Sequence, residues 1–322
     1  MTRAGIPLGL ESWTYLPLYK AFLEGLGQTV VLNKPTNREI VERGSLAIVD
    51  ETCLPCKIEA GAALSLDSEV DYLFVPRLVS LSRSTTNCPK MIAMPDLLKF
   101  RCERDIISPI VDIRRDRQSL KRAVRETGGR LTNDGHRVYT AWHRAVLAYK
   151  QYHCLLRANF LPNEAIDYLS GKKIEQPKPA PNQLKVALVG HNYNLNDPFS
   201  SFNLAQRLRE KDVFVYTPDS LSDRIIQKMN RIMEKQVFWI HERKLLGAAM
   251  YFIHRKPVDG IIAVTSFNCG TSAVTNEFID YEAEKEGVPI MHLVVDEHTA
   301  EAGMKTRLEA FINLMKWKRG EI

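Results

Sequence analysis

No uninterrupted apolar run in the 322-residue chain reaches the roughly 18–20 residues that a bilayer-crossing helix needs, so the sequence argues against a membrane span. The opening segment, MTRAGIPLGLESWTYLP, has one Arg, no long apolar stretch and no small-residue cleavage site. It reads as the first strand and helix of a fold, and the expected location is cytoplasmic. Lys and Arg exceed Asp and Glu by only six charges, with no basic block, so nucleic acid is not an expected partner. Gly and Pro, 17 and 16 residues, make up about a tenth of the chain, which excludes collagen-like and low-complexity architectures. No GxxxxGK[ST] occurs, so the chain has no P-loop for ATP. No second CxxC occurs either, which leaves a closed four-ligand structural zinc site without its donors.

What the chain does have is alternation. Its length corresponds to about two domains, enough to bury two cores without staples. Short β-rich runs at Gly5–Leu10, Gln28–Leu32, Tyr72–Val75, Met91–Met94 and Ile106–Ile113 read as strands, separated by the helical stretches Thr14–Leu26, Asn37–Gly44 and Ala60–Leu66. Gln118–Arg125 and about Val138–Leu169 read as helices, a helical insertion or bridge. The stretch KKIEQPKPAPNQ at 172–183 carries three prolines and is the best linker. The alternation then restarts: strand Leu184–Val189, a polar loop at Gly190–Pro198, helix Phe199–Glu210, strand Val213–Tyr216, mostly helix over 221–256, strand Gly260–Val264, helix Thr271–Glu286, strand Val288–Val294 and helix Ala300–Met315. The expectation is an α/β protein of two Rossmann-like domains with mainly parallel sheets and a helical insertion between them. The boundaries are 1–171 for the N-terminal domain, with the insertion from about 115, 172–183 for the linker, and 184–322 for the C-terminal domain. A cleft between two such domains is the default place for a site.

Six cysteines carry most of the chemical signal: Cys53, Cys56, Cys88, Cys102, Cys154 and Cys269. Cys53 (ETCLPCK), Cys88 (TTNCPK) and Cys269 (SFNCGT) stand beside Pro or Gly in loops, whereas Cys102 and Cys154 lie in helical contexts and read as structural. Loops at strand carboxyl ends gather at one edge of a doubly wound sheet, so three thiolates from three loops are able to meet. Small buried hydrophobes, a thioredoxin-type pair at Cys53–Cys56, and an iron–sulfur cluster remain open at this level. GHNYNLNDP at Gly190–Pro198 opens a helix after a strand and is either an anion-binding turn or an ordinary connection. His191, His292 and His298 are acid/base candidates, each more often a satisfied structural residue.

Taken together and in order, ETCLPCK, NCPK, GHNYNLNDP, SFNCGT and DEHTAEAGMKTRLEAF resemble the iron–sulfur component family of 2-hydroxyacyl-CoA dehydratases and benzoyl-CoA reductases. The nearest branch is that of acyl-CoA dehydratase activase-related proteins, similar to double-cubane cluster proteins. The resemblance implies a cluster held by Cys53, Cys88 and Cys269, either a [4Fe–4S] cubane or a double-cubane [8Fe–9S] cluster shared across a homodimer. It implies an ASKHA-type ATPase activase as electron donor, and a small-molecule substrate, with acyl-CoA as the family's class. Cys56 departs from the pattern, where a small or apolar residue is usual, and is an extra ligand, a redox neighbour or a bystander. Asp296, Glu297, His298 and Glu301 form a polar group after the last strand. His298 and Glu301 are the candidate catalytic residues, with helix capping and ion pairing as their alternative role. Function then divides between an ATP-dependent low-potential reductase or dehydratase component, a non-catalytic electron-transfer or cluster-carrier protein, and a cluster-free binding module.

Overall fold

The computed structural model describes residues 1–233, 236–255 and 258–321. The chain divides into two compact units. The N-terminal unit comprises Met1–Cys154 with Phe238–Ile240, and the C-terminal unit comprises Leu155–Val237 and His241–Ile322.

The N-terminal unit runs β1 (Arg3–Ile6), α1 (Ser12–Gly25), β2 (Thr29–Leu32), α2 (Arg38–Ala47), α3 (Leu54–Leu66), β3 (Tyr72–Phe74), β4 (Arg77–Ser80), α4 (Pro89–Lys99), β5 (Asp105–Ile107), β6 (Ile110–Asp112), α5 (Ser119–Leu131) and α6 (Gly135–Arg157, its last turn past the division). Its main sheet is parallel throughout, in the order β2-β1-β3-β5. A separate parallel ladder joins β4 to β6. Helix α6 packs on α1: Phe22, Leu26, Ala141 and Ala145 form one buried cluster. There Gly25 leaves no room for a side chain, since a Cβ on it would stand 2.7 Å from that of Ala141. Buried Tyr152 donates its hydroxyl to the Trp13 carbonyl at 3.0 Å, pinning the far end of α6.

The C-terminal unit runs α7 (Pro162–Leu169), β7 (Leu184–Gly190), α8 (Asn192–Asn196), α9 (Pro198–Ser201), α10 (Leu204–Glu210), β8 (Val213–Tyr216), α11 (Asp223–Met229), α12 (Ile240–His254), β9 (Gly260–Ser266), α13 (Gly270–Lys285), β10 (Ile290–Val295) and α14 (Glu301–Lys318). Its sheet, β10-β9-β7-β8, is also parallel throughout. Every residue of β9 is buried, as expected of a central strand covered on both faces. Alternation along it sends Gly260 against Phe311 and Met315 of α14, and Ile261 into the cluster of Leu245, Met250 and Phe252 of α12. Numbered within each main sheet, both have the strand order 2-1-3-4, the flavodoxin-like pattern. The α/β reading with parallel sheets and intervening helices holds.

Local readings differ where turn chemistry intervenes. Met91–Met94, expected as a strand, lies inside α4, because Cys88–Pro89 starts a helix and Met91, Met94 and Leu98 are buried at helical spacing. Ile106–Ile113 is two strands in two different ladders, because Pro109 between them offers no N–H. The helix expected at Phe199–Glu210 is broken by left-handed backbone at Phe202 and Asn203. That at Val138–Leu169 is interrupted by left-handed Asn159 and by Pro162. Within 221–256, residues 234, 235 and 256 lie outside the described residues; the rest holds α11, a 3₁₀ turn and α12, with Gln236–Trp239 non-helical.

Candidate functional site

Each of the three motif cysteines is the N-cap residue of a helix: Cys53 of α3, Cys88 of α4 and Cys269 of α13. None uses its side chain to cap the helix. Pro follows at the first or second helical position in α3 and α4, pre-setting the helical φ. A side chain at such a position stands beside the first-turn backbone N–H groups and the positive end of the helix dipole. All six cysteines are thiols, with no disulfide.

In the N-terminal unit, the position of α3 is set by α2. A Cβ on Gly44 would stand 1.8 Å from the Lys57 carbonyl oxygen, and one on Gly61 would stand 1.8 Å from that of Ile40. The two helix backbones therefore touch, and Cys53 projects from a helix with no slack. The Cys53 carbonyl accepts from the Cys56 N–H at 3.0 Å, and the two sulfurs lie 3.7 Å apart. Cys53 is half-buried; Cys56 is 1% exposed. The Cys56 thiol's hydrogen bond holds Cys53 down to about 7; burial opposes this, and the Lys90 ammonium assists. The same hydrogen bond, burial, and the nearby charges of Cys53 and Cys88 push Cys56 well up. Lys90, in the first turn of α4, donates to the Glu51 carbonyl at 3.1 Å.

Cys88 is held by its neighbours in sequence. Its N–H donates to Asn87 Oδ1 at 2.9 Å, and Asn87 Nδ2 donates to Glu11 Oε1 at 2.7 Å. Thr86, just before, bridges Trp239: its N–H donates to the Phe238 carbonyl at 2.8 Å, and its own carbonyl accepts from Ile240 N–H at 3.0 Å. Beneath this loop lie two carboxyl groups that sequence reasoning missed, Glu11 and Glu59. Glu59 is buried on a helix with almost no solvent face. Burial first and the Glu11 charge second push its carboxyl up to about 8, against a hydrogen bond from the Leu10 N–H. Burial and the same two carboxyls raise the Tyr19 phenol. The available signal was a Glu inside the otherwise apolar run IEAGAAL.

In the C-terminal unit, Cys269 follows β9 and His191 follows β7, the two strands flanking the point where strand order reverses. Ligands of open α/β sheets bind at that switch point. Left-handed Asn268 turns the chain into Cys269. Glu242, in the first turn of α12, completes the group. One donor atom from each of His191, Glu242 and Cys269 lies within 4.8 Å of the other two. His191 Nε2 stands 3.1 Å from Glu242 Oε1, close enough for an ion pair but not aligned as a hydrogen bond. His191 Nδ1 meets the Tyr193 hydroxyl at 2.7 Å. Thr271 and Ser272 each donate to Glu242 Oε1 at 2.8 Å, and Ser272 Oγ is 3.1 Å from Cys269 Sγ. Burial alone would raise the Glu242 carboxyl; His191 and the two hydroxyl donors outweigh it and bring it to about 2. Glu242 belongs to no motif and was not legible in the sequence, whereas His191 was singled out there.

The GHNYNLNDP loop's polar groups are taken up partly within the loop and partly by neighbours: Asn192 Nδ2 donates to Asp219 Oδ1 at 3.2 Å, and Asn194 Oδ1 accepts from the Ser266 hydroxyl at 2.8 Å. Asn194 and Leu195 N–H bond the His191 carbonyl, and Asp197 Oδ1 accepts from Phe199 and Ser200 N–H at 3.0 Å each. It is a buried strand–helix connection. His292 pairs with Asp280 at 2.6 Å on the partly exposed β10. His298 is exposed, its N–H bonding Asp296 Oδ1 at 2.9 Å, and Glu301 is paired with Arg207. Burial, with Asp67, pushes Cys102 up to about 12, and Cys154 is exposed.

Two parallel α/β units of one strand order, with the three motif cysteines at helix N-termini, define a class of two-unit α/β protein. Within that class the chain belongs to the family described as the CoA enzyme activase uncharacterised domain, whose model matches residues 3–221. Residues 203–315 match the D-component of 2-hydroxyglutaryl-CoA dehydratase. The two matches mark a dehydratase component or an activase-like protein. No curated protein matches the chain. Among the described residues no helix is long and apolar enough to cross a membrane.

Proposed function

We propose that the chain is the iron–sulfur component of an ATP-dependent low-potential reductase or dehydratase system, with Cys53, Cys88 and Cys269 as thiolate ligands of the cluster. The observation that carries this reading is that Cys53, Cys88 and Cys269 each stand at the N-cap of a helix, in the loop before it. The donor chemistry fits an iron–sulfur group: soft cysteine sulfurs on scattered loops. The two family matches agree with it, one spanning Cys53 and Cys88 and the other Cys269. The cluster would supply one-electron chemistry; the chain's part is to hold it, limit water and tune it through hydrogen bonds and burial. Electrons would come from a separate ASKHA-type ATPase, in keeping with the absent P-loop. The substrate would be a small molecule, with acyl-CoA the class to try first. A double-cubane cluster would require a homodimer. His298 and Glu301 are the candidates for moving protons.

Anaerobic iron and sulfide quantification with EPR and a measured oligomeric state tests the reading. Replacing Cys53, Cys88 or Cys269 with Ala should lose cluster iron, while Cys102→Ala and Cys154→Ala should keep it. Colourless, iron-free protein from anaerobic expression and reconstitution would sink the proposal, and ATP hydrolysis by the chain alone would sink the separate donor. A second reading rests on the His191–Glu242–Cys269 group, whose mixed nitrogen, oxygen and sulfur donors suit a single divalent ion such as zinc or iron(II). One zinc or iron per chain without sulfide, lost in His191→Ala, would favour it.

A further inference from the structure

We infer that Cys53 and Cys56 form a reversible dithiol–disulfide site that takes a disulfide as its oxidant. The two cysteines are the N-cap and third residues of one helix. Their sulfurs already lie 3.7 Å apart, so a modest side-chain rotation joins them without moving the backbone. Their exposures differ in the way a relay needs: Cys53 is reachable, and Cys56 is 1% exposed directly behind it. Pro55 between them keeps the turn in helical geometry, so the pair is held face to face.

The chemistry balances as thiol–disulfide exchange. The Cys53 thiolate attacks one sulfur of the incoming disulfide, forming a mixed disulfide and releasing one thiol. Cys56 gives up its proton and attacks the Cys53 sulfur, forming the Cys53–Cys56 bond and releasing the second thiol. The protein loses two hydrogens, and one disulfide becomes two thiols. A dithiol reductant reverses the step. Cys53 in this bond has no thiolate to offer iron, so oxidation and metal ligation at Cys53 exclude each other. That last consequence alone rests on the proposed ligand set; the disulfide itself does not.

The test uses the full-length, cluster-free, reduced chain exposed anaerobically to oxidised glutathione, quenched by alkylation and read by intact mass and peptide mapping. The expected product carries a Cys53–Cys56 disulfide and no glutathione in that loop, with exposed Cys154 as an internal control that retains its adduct. Cys56→Ser should instead hold one glutathione on Cys53, and Cys53→Ser should leave the loop unmodified; unchanged circular dichroism shows that the variants are folded. Wild-type chain that keeps a stable glutathione on Cys53, or that alkylates at both positions while Cys154 is fully modified, overturns the inference. A chain that forms the disulfide but takes up no iron on reconstitution defeats the cluster reading alone; one that binds iron but never forms the disulfide defeats this inference alone.

Discussion

At the scale of single residues, the main fact is that polar chemistry has been placed where solvent cannot reach it. Glu59 illustrates the cost. Its carboxyl titrates at about 8 in the folded chain against an ordinary value of 4.5. Between those values the folded state holds a proton that the unfolded state has released. The contribution is therefore fully present below about pH 4.5 and is lost as the pH rises toward 8. Each pKa unit is about 1.4 kcal/mol, so the loss is on the order of a few kcal/mol. Glu59→Gln should remove this fall: its denaturation midpoint should change less between pH 5 and pH 8 than that of the parent, and should be the higher of the two at pH 8. An identical pH dependence in both proteins would contradict the assignment. Asn87 makes a complementary case, since it donates to Glu11 and accepts from the Cys88 N–H. Asn87→Ala removes both of these hydrogen bonds and should cost about 1–3 kcal/mol, read as a shift in denaturant midpoint.

Among elements, the α2–α3 crossing decides where Cys53 sits. A methyl group on Gly61 would have to occupy the space of the Ile40 carbonyl, so Gly61→Ala should destabilise by about 2 kcal/mol or more, visible as a lowered thermal midpoint. Gly303→Ala is the control: nothing lies within 4 Å of the added Cβ, and α14 should gain up to about 1 kcal/mol. Most elements were legible because short β-branched runs and helical apolar spacing alternate so regularly. The misreadings were local. MIAM is too short to tell a buried helical turn from a strand, and the starting Cys88–Pro89 pair outweighed its apolar character. The loop placement of Cys53, Cys88 and Cys269 was legible because Pro and Gly beside Cys mark chain breaks, whereas the helix that Cys88 starts was read as a strand. Glu11, Glu59 and Glu242 were not legible, because their importance comes from three-dimensional neighbours that no spacing records.

For the whole molecule, the repeated strand order means that each unit completes its own sheet and core, yet the chain does not pass once from one unit to the other. Phe238–Ile240 belongs with the N-terminal unit, paired to Thr86 beside Cys88. Ile240→Pro tests the pairing cleanly. Proline is tolerated at the first position of α12, but it removes the N–H that bonds the Thr86 carbonyl. The expected outcome is faster hydrogen exchange at the Thr86 amide and a loss of about 1 kcal/mol, with α12 intact by circular dichroism. This return of the chain also bears on how such proteins are able to evolve. A unit that keeps three of its residues far downstream is not a cassette that recombination lifts out with one cut. Relatives that fuse, duplicate or shed a half should carry their breakpoints elsewhere, or else rebuild a substitute for that short strap.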